Sequence, residues 1–125
     1  MDIFLTDPSE IPLPPSEVRI HDLQVETGSE LDRVHVYLEM DPFQRKPNLD
    51  ITIYDLEGLE IAGTSIIESM VRKMEFTMLF RRKMETGNYR LVSTLFYVEI
   101  DQPDQGDGII ERQVIDTREV IFKLE

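Results

Sequence analysis

The sequence predicts an all-β chain, a single antiparallel β-sandwich of about seven strands behind an extended proline-rich arm. Three observations carry that reading. Apolar residues recur with a period of two in run after run. Turn signals separate the runs at roughly ten-residue intervals. Only one stretch has helical spacing, whereas a parallel sheet needs a crossover of a dozen or more residues between its strands. At 125 residues the chain makes one domain and buries roughly two thirds of its unfolded surface, so the core needs no staple. It contains no cysteine, which excludes disulfides, thiolate zinc sites, iron–sulfur clusters and cysteine nucleophiles.

The arm, residues 1–16, holds Pro8, Pro12, Pro14 and Pro15, four of the seven prolines. Proline lacks the N–H a central ladder needs, so the arm is read as a stiff lead-in to the domain at 17–125. Pro12 to Pro15 also fits the PxxP pattern that aromatic grooves recognise. Val18 and Ile20 alternate with Arg19 and His21, then Leu23 and Val25 with Gln24 and Glu26. The apolar phase slips by one at His21–Asp22, which predicts a bulge. Gly28 is the turn. Val34, Val36, Leu38 and Met40 alternate with polar residues without interruption, a half-buried strand. Residues 41–48 read as a loop. Leu49, Ile51 and Ile53 form the next strand, Asp55-Leu56-Glu57-Gly58 the turn, and 59–67 a returning strand broken by Gly63.

Ile66, Ile67, Met70, Val71, Met74 and Met78 also sit at helical spacing, and Ser65 with Glu68 resembles a capping box. A helix over 65–73 is therefore the alternative to a turn near 68–72. The turn is favoured, because Met74, Phe76, Met78 and Phe80 alternate without a break. Tyr89, Leu91, Ser93, Leu95 and Tyr97 form the sixth run. The seventh spans 109–124, with Val120, Phe122 and Leu124 in phase. Phe96 is out of phase with Tyr97, so one of the two is expected to be exposed or at an edge. The methionines and phenylalanines fill the core in the absence of tryptophan.

Glu85-Thr86-Gly87-Asn88-Tyr89 opens the sixth run and resembles the tyrosine corner of immunoglobulin-like and fibronectin-type sandwiches. The resemblance implies that the Tyr89 hydroxyl bonds to backbone a few residues upstream and that Gly87 supplies the turn. It implies an immunoglobulin-like fold, without the antibody cysteines and tryptophan. The run at 50–66, DITIYDLEGLEIAGTSI, followed by Gly87-Asn88-Tyr89-Arg90-Leu91, is also similar to sugar-binding sandwich domains appended to bacterial polysaccharide-export ATPases. That likeness implies carbohydrate as a ligand and assigns no stacking aromatic; Tyr37, Tyr54 and Tyr97 are the candidates.

The net charge is −12, which repels phosphate backbones and anionic lipid surfaces; neither nucleic acid nor membrane is expected as a partner. No stretch approaches the roughly 18 apolar residues of a membrane span. The opening residues lack a basic segment before an apolar run, so the expected compartment is the cytoplasm. No nucleophile elbow or phosphate-cradling loop occurs, and the chain is read as no enzyme and as having no cofactor. His21 and His35 lack metal-ligand spacing and read as surface residues, unless strand pairing brings them together with Asp22 or Glu39. The segment 99–111 is acidic and glycine-bearing, and Asp101, Asp104, Asp107 and Glu111 are its calcium-ligand candidates. Arg72, Lys73, Arg81, Arg82, Lys83 and Arg90 gather six of the thirteen bases within nineteen residues, a candidate anion-binding or docking face. The leading expectation is a non-catalytic binding or assembly module with a protein partner or a second copy of itself. The alternatives are a carbohydrate-binding accessory domain and a metal- or calcium-binding domain.

Overall fold

The computed structural model describes residues 11–101 and 109–125, with backbone alone at 100, 101, 109 and 110. Seven strands follow in order: β1 (Ile20–Glu26), β2 (Arg33–Met40), β3 (Asn48–Asp55), β4 (Glu60–Ile66), β5 (Lys73–Leu79), β6 (Gly87–Asp101) and β7 (Ile109–Leu124). They form two sheets, β1-β2-β5 and β4-β3-β6-β7, and every pairing is antiparallel. This is the seven-strand sandwich the alternation predicts. In the constant-type immunoglobulin arrangement the fourth strand belongs to the first sheet; here β4 lies beside β3. Among the described residues no helix is long and apolar enough to cross a membrane.

Alternate side chains of each strand meet between the sheets. Val34, Val36, Leu38 and Met40 of β2 pack with Leu49, Ile51 and Ile53 of β3 and Leu91, Leu95 and Tyr97 of β6, all buried. Each such side chain contributes about 1.5–3 kcal/mol relative to exposure. Ser93 shares this interior, and its hydroxyl has no hydrogen-bond partner among the described residues.

The phase slip in β1 is a bulge: Ile20 pairs with Met40 and Asp22 with Glu39, leaving His21 as the extra residue. Its backbone is satisfied from the other sheet. Asp116 of β7 accepts the Ile20 N–H at 2.9 Å, and Arg118 donates to the Ile20 and His21 carbonyls at 3.4 and 3.2 Å. β7 has its own bulge at Ile115, between the pairs Leu95–Asp116 and Phe96–Val114. These contacts tie β1 to β7 and close one side of the sandwich.

The arm is pinned from Leu13 onward. The Leu13 N–H donates to Pro42 O at 3.0 Å and Leu13 O accepts from Gln44 N–H at 2.9 Å. Pro15–Glu17 makes one 3-10 turn, a geometry in which proline's fixed φ fits the first position. The PxxP span is therefore docked on the domain and not held out as a ligand.

Residues 67–72 are bends and irregular chain, as the favoured turn reading has it, and not a helix. The donors a helix would use are engaged elsewhere: Glu68 N–H bonds Asn48 Oδ1 at 2.8 Å and Ser69 N–H bonds Pro47 O at 2.8 Å. Ser65, which sequence spacing offers as a cap, donates instead to Asp50 Oδ1 at 2.7 Å. Glu68 has φ of 49°, a left-handed conformation these bonds hold.

The tyrosine corner is present. The Tyr89 hydroxyl donates to Glu85 O at 2.7 Å, and its ring stacks on Phe122 with centroids 6.0 Å apart. Gly87 has φ of 146°, open to glycine and strained for other residues. Burial raises the pKa of Tyr89 and of Tyr97, whose hydroxyl donates to Arg45 O at 2.9 Å.

Three measurements check this packing. Tyr89→Phe leaves the ring stack and removes the bond to Glu85, so urea unfolding is expected to show a loss of about 1–2 kcal/mol. Ser93→Ala deletes an unpartnered buried hydroxyl, and the same assay is expected to show stability kept or raised by about 1 kcal/mol. The folded state favours the neutral phenols of Tyr89 and Tyr97, so their contribution is intact below the unfolded phenol pKa of about 10 and is lost as pH rises past it. In an alkaline titration, phenolate absorbance from these two residues is expected to appear together with loss of the β spectrum. Full ionisation of every tyrosine with the fold intact would contradict it.

Candidate functional site

The outer face of the β4-β3-β6-β7 sheet carries two clusters in which an aromatic ring, a guanidinium and a carboxylate meet. Inward residues of β3 are Leu49, Ile51 and Ile53, so period two turns Asp50, Thr52 and Tyr54 outward. The register sets Tyr54 beside Arg90 of β6. The Arg90 guanidinium lies 4.9 Å from the Tyr54 ring centroid and its Nη1 is 3.2 Å from Glu119 Oε2 on β7. One ring, one guanidinium and one carboxylate thus stand side by side across three strands.

A second cluster lies four residues along β3, roughly 13 Å away at the strand rise. Arg112 of β7 sits 3.9 Å over the Phe96 ring and bonds Asp50 Oδ2 at 2.6 Å, and Asp50 also accepts from Ser65. Phe96 is only 2% exposed although it points away from the core. The expectation that Phe96 or Tyr97 would be exposed or at an edge is corrected here: β6 lies between β3 and β7, Tyr97 is in the core, and Phe96 is roofed by Arg112. Half-buried Thr52 and Thr94 lie between the clusters.

The three candidate tyrosines do not converge. Tyr97 is interior. Tyr37 is on the outer face of the other sheet, where its hydroxyl donates to Glu39 at 2.9 Å; that bond holds the Glu39 carboxyl below its usual pKa. Tyr54 alone belongs to the polar face.

The six bases are not gathered on one face. Arg72 and Lys73 lie at the start of β5, with Arg72 Nη1 3.5 Å from Glu39 Oε2. Arg81, Arg82 and Lys83 follow its other end, roughly 25 Å away along the strand. Arg90 is on the other sheet. Arg82 and Lys83 line a cleft of about 490 Å³ together with Asp55, Glu57 and Glu85, so acids accompany them.

Pairing also separates the histidines. His35 is opposite Glu26 and Thr77, while His21 is in the bulge and contacts Asp41. Asp22 accepts from Gln24 at 2.8 Å, and Glu39 is engaged by Tyr37. Among the described residues no three histidine or acidic side chains are placed to hold a metal. Of the calcium candidates, Asp104, Asp107 and the side chain of Asp101 lie outside the described residues, and Glu111 is exposed, paired in register with Glu99.

The open side between β4 and β5 holds a groove of about 750 Å³ lined by Ile66, Met70, Met74 and Phe76 among others. From sequence, Ile66 falls in a strand, Met70 in the favoured turn, and Met74 and Phe76 in the core; the structure brings them together on an open side.

No protein-family model matches the sequence, and no curated protein does. Solved structures share the fold. The β-glucuronidase of Bifidobacterium dentium, complexed with coumarin-3-O-glucuronide, superposes with a TM-score of 0.61 and 17% identity over 88% of this chain and 19% of that one. A glycosyl hydrolase family 2 member from Bacteroides cellulosilyticus superposes with a TM-score of 0.52 and 15% identity, over 86% of this chain and 15% of that one. The chain spans less than a fifth of the length of either protein. At these identities the likeness is one of fold: a β-sandwich of the kind found as one part of larger glycosyl hydrolases.

Proposed function

We propose that this domain is a non-catalytic accessory module that binds carbohydrate through the outer face of its four-stranded sheet. The observation that carries the reading is the Tyr54–Arg90–Glu119 cluster. A sugar ring offers an apolar C–H face and hydroxyls that both donate and accept. A tyrosine ring suits the first. A paired guanidinium and carboxylate supply donors and acceptors for the second. Both guanidiniums of the face are already matched by Glu119 and Asp50, and the chain carries a net charge of −12. The face therefore suits neutral glycans over acidic ones. The fold likeness to portions of two carbohydrate-acting enzymes supports the same reading.

The test is affinity electrophoresis and calorimetry against a panel of neutral and uronate-containing polysaccharides. Retention by a neutral glycan is expected. Tyr54→Ala and Arg90→Ala are each expected to weaken it at least roughly tenfold, or about 1.4 kcal/mol, with the circular dichroism spectrum unchanged. Absence of retention on every glycan, or retention unaffected by both substitutions, overturns the reading. Release of reducing sugar by the purified chain overturns its non-catalytic part.

A further inference from the structure

We infer that the open side of the sandwich receives an extended basic segment of a partner protein, added as a strand to the free edge of β5. The two lateral sides of the molecule differ. Between β1 and β7, Asp116 and Arg118 bridge the sheets. Between β4 and β5 the groove of about 750 Å³ is open. Met74 and Phe76 are half-buried in its floor, while Ile67, Met70, Val71 and Leu79 stand on its rim, Met70 at 79% exposure. Those four are among nine large apolar side chains exposed in the described residues, so apolar exposure is concentrated at this one place, as at interaction surfaces. Methionine is suited to such a role because its flexible thioether adapts to different partners.

The backbone is arranged for the same event. Met40 N–H bonds Arg72 O at 2.9 Å and Phe80 N–H bonds Asp32 O at 2.8 Å, one at each end of β5. Between them the register against β2 runs without a shift. Hydrogen-bonded pairs alternate along an antiparallel ladder, so the even-numbered residues of β5 bond β2. The N–H and C=O groups of Lys73, Glu75, Thr77 and Leu79 then face the free edge, a template for a further strand. An extended segment docked there gains main-chain bonds at these four residues and lays alternate side chains over Met74 and Phe76.

Charge selects the occupant. The charged residues lining the groove are Glu68 and Glu75, and the bases at the ends of β5 are accompanied by acids: Lys73 stands opposite Glu39, Arg72 pairs with Glu39, and Arg82 and Lys83 share their cleft with Asp55, Glu57 and Glu85. The chain carries −12 overall. A second copy brings the same negative charge; a segment alternating apolar and basic residues is complementary. This face is separate from the glycan surface.

The experiment uses the full chain and two labelled ten-residue peptides, one alternating valine with lysine and one alternating valine with glutamate, read by fluorescence anisotropy and amide hydrogen exchange. The valine–lysine peptide is expected to bind at least roughly tenfold tighter than its acidic counterpart, to weaken as salt rises, and to protect the amides of Lys73, Glu75, Thr77 and Leu79. Thr77→Pro removes an N–H the fold does not use and is expected to abolish binding. Glu75→Lys tests the charge independently of that backbone change and is expected to weaken the basic peptide. Tyr54→Ala, which alters the other face, is expected to leave it unchanged. No binding of the basic peptide, equal binding of both peptides, or binding that survives Thr77→Pro and Glu75→Lys overturns the proposal. Protection of the same amides on raising protein concentration without peptide also overturns it, in favour of a second copy.

Discussion

Every strand of this sandwich must keep alternate side chains in the interior, and the rest of the structure is arranged around the places where that parity breaks. In β2 it never breaks, and four consecutive inward residues are fully enclosed. In β1 the apolar phase slips, and an extra residue at His21 resets it. In β7 an extra residue at Ile115 does the same. A one-residue slip without such a correction would turn the whole apolar set of a strand to water. Each bulge leaves ladder groups unpaired, and at β1 the groups are met by Asp116 and Arg118 from the opposite sheet. The irregularity in one strand thereby adds a hydrogen-bonded tie between the two layers beside their shared core.

That junction also explains the asymmetry of the molecule. On the β1–β7 side polar side chains cross between the sheets; the β4–β5 side is an open groove lined mostly by apolar side chains, with Glu68 and Glu75 among them. Asn48 and Pro47 fix the bends at 68–69 that carry the chain from β4 to β5, so the open side is held open by hydrogen bonds and is not a frayed edge.

Much of the fold was legible because its determinants are local. The alternation of Val34 to Met40 reports a strand with one buried face, the slip at His21 reports a bulge, and Gly87 with Tyr89 reports the corner that Tyr89 completes by bonding Glu85. The site was far less legible. Phe96 is buried by Arg112, a residue brought over it by β6–β7 pairing and invisible at that distance in sequence. Six bases close in the chain are dispersed because an extended strand separates them and a crossover sends Arg90 to the other sheet. Ile66, Met70 and Met74 share helical spacing, yet the donors a helix needs are bonded by residues 47 and 48. There the alternation from Met74 to Phe80 already favoured a turn; in the other two cases tertiary contacts decided, and local pattern could not anticipate them.

The grip of Asp116 and Arg118 has a mechanical side. β1 and β7 are the first and last strands and belong to different sheets, so tension between the two ends of the sandwich runs across their junction. Within a sheet such a load is shared by a ladder of parallel bonds. Here it falls on a few side-chain-to-backbone bonds at one bulge and on the apolar packing between the sheets. In series with two stiff layers, that junction is the compliant element, where the layers can slide before either one tears.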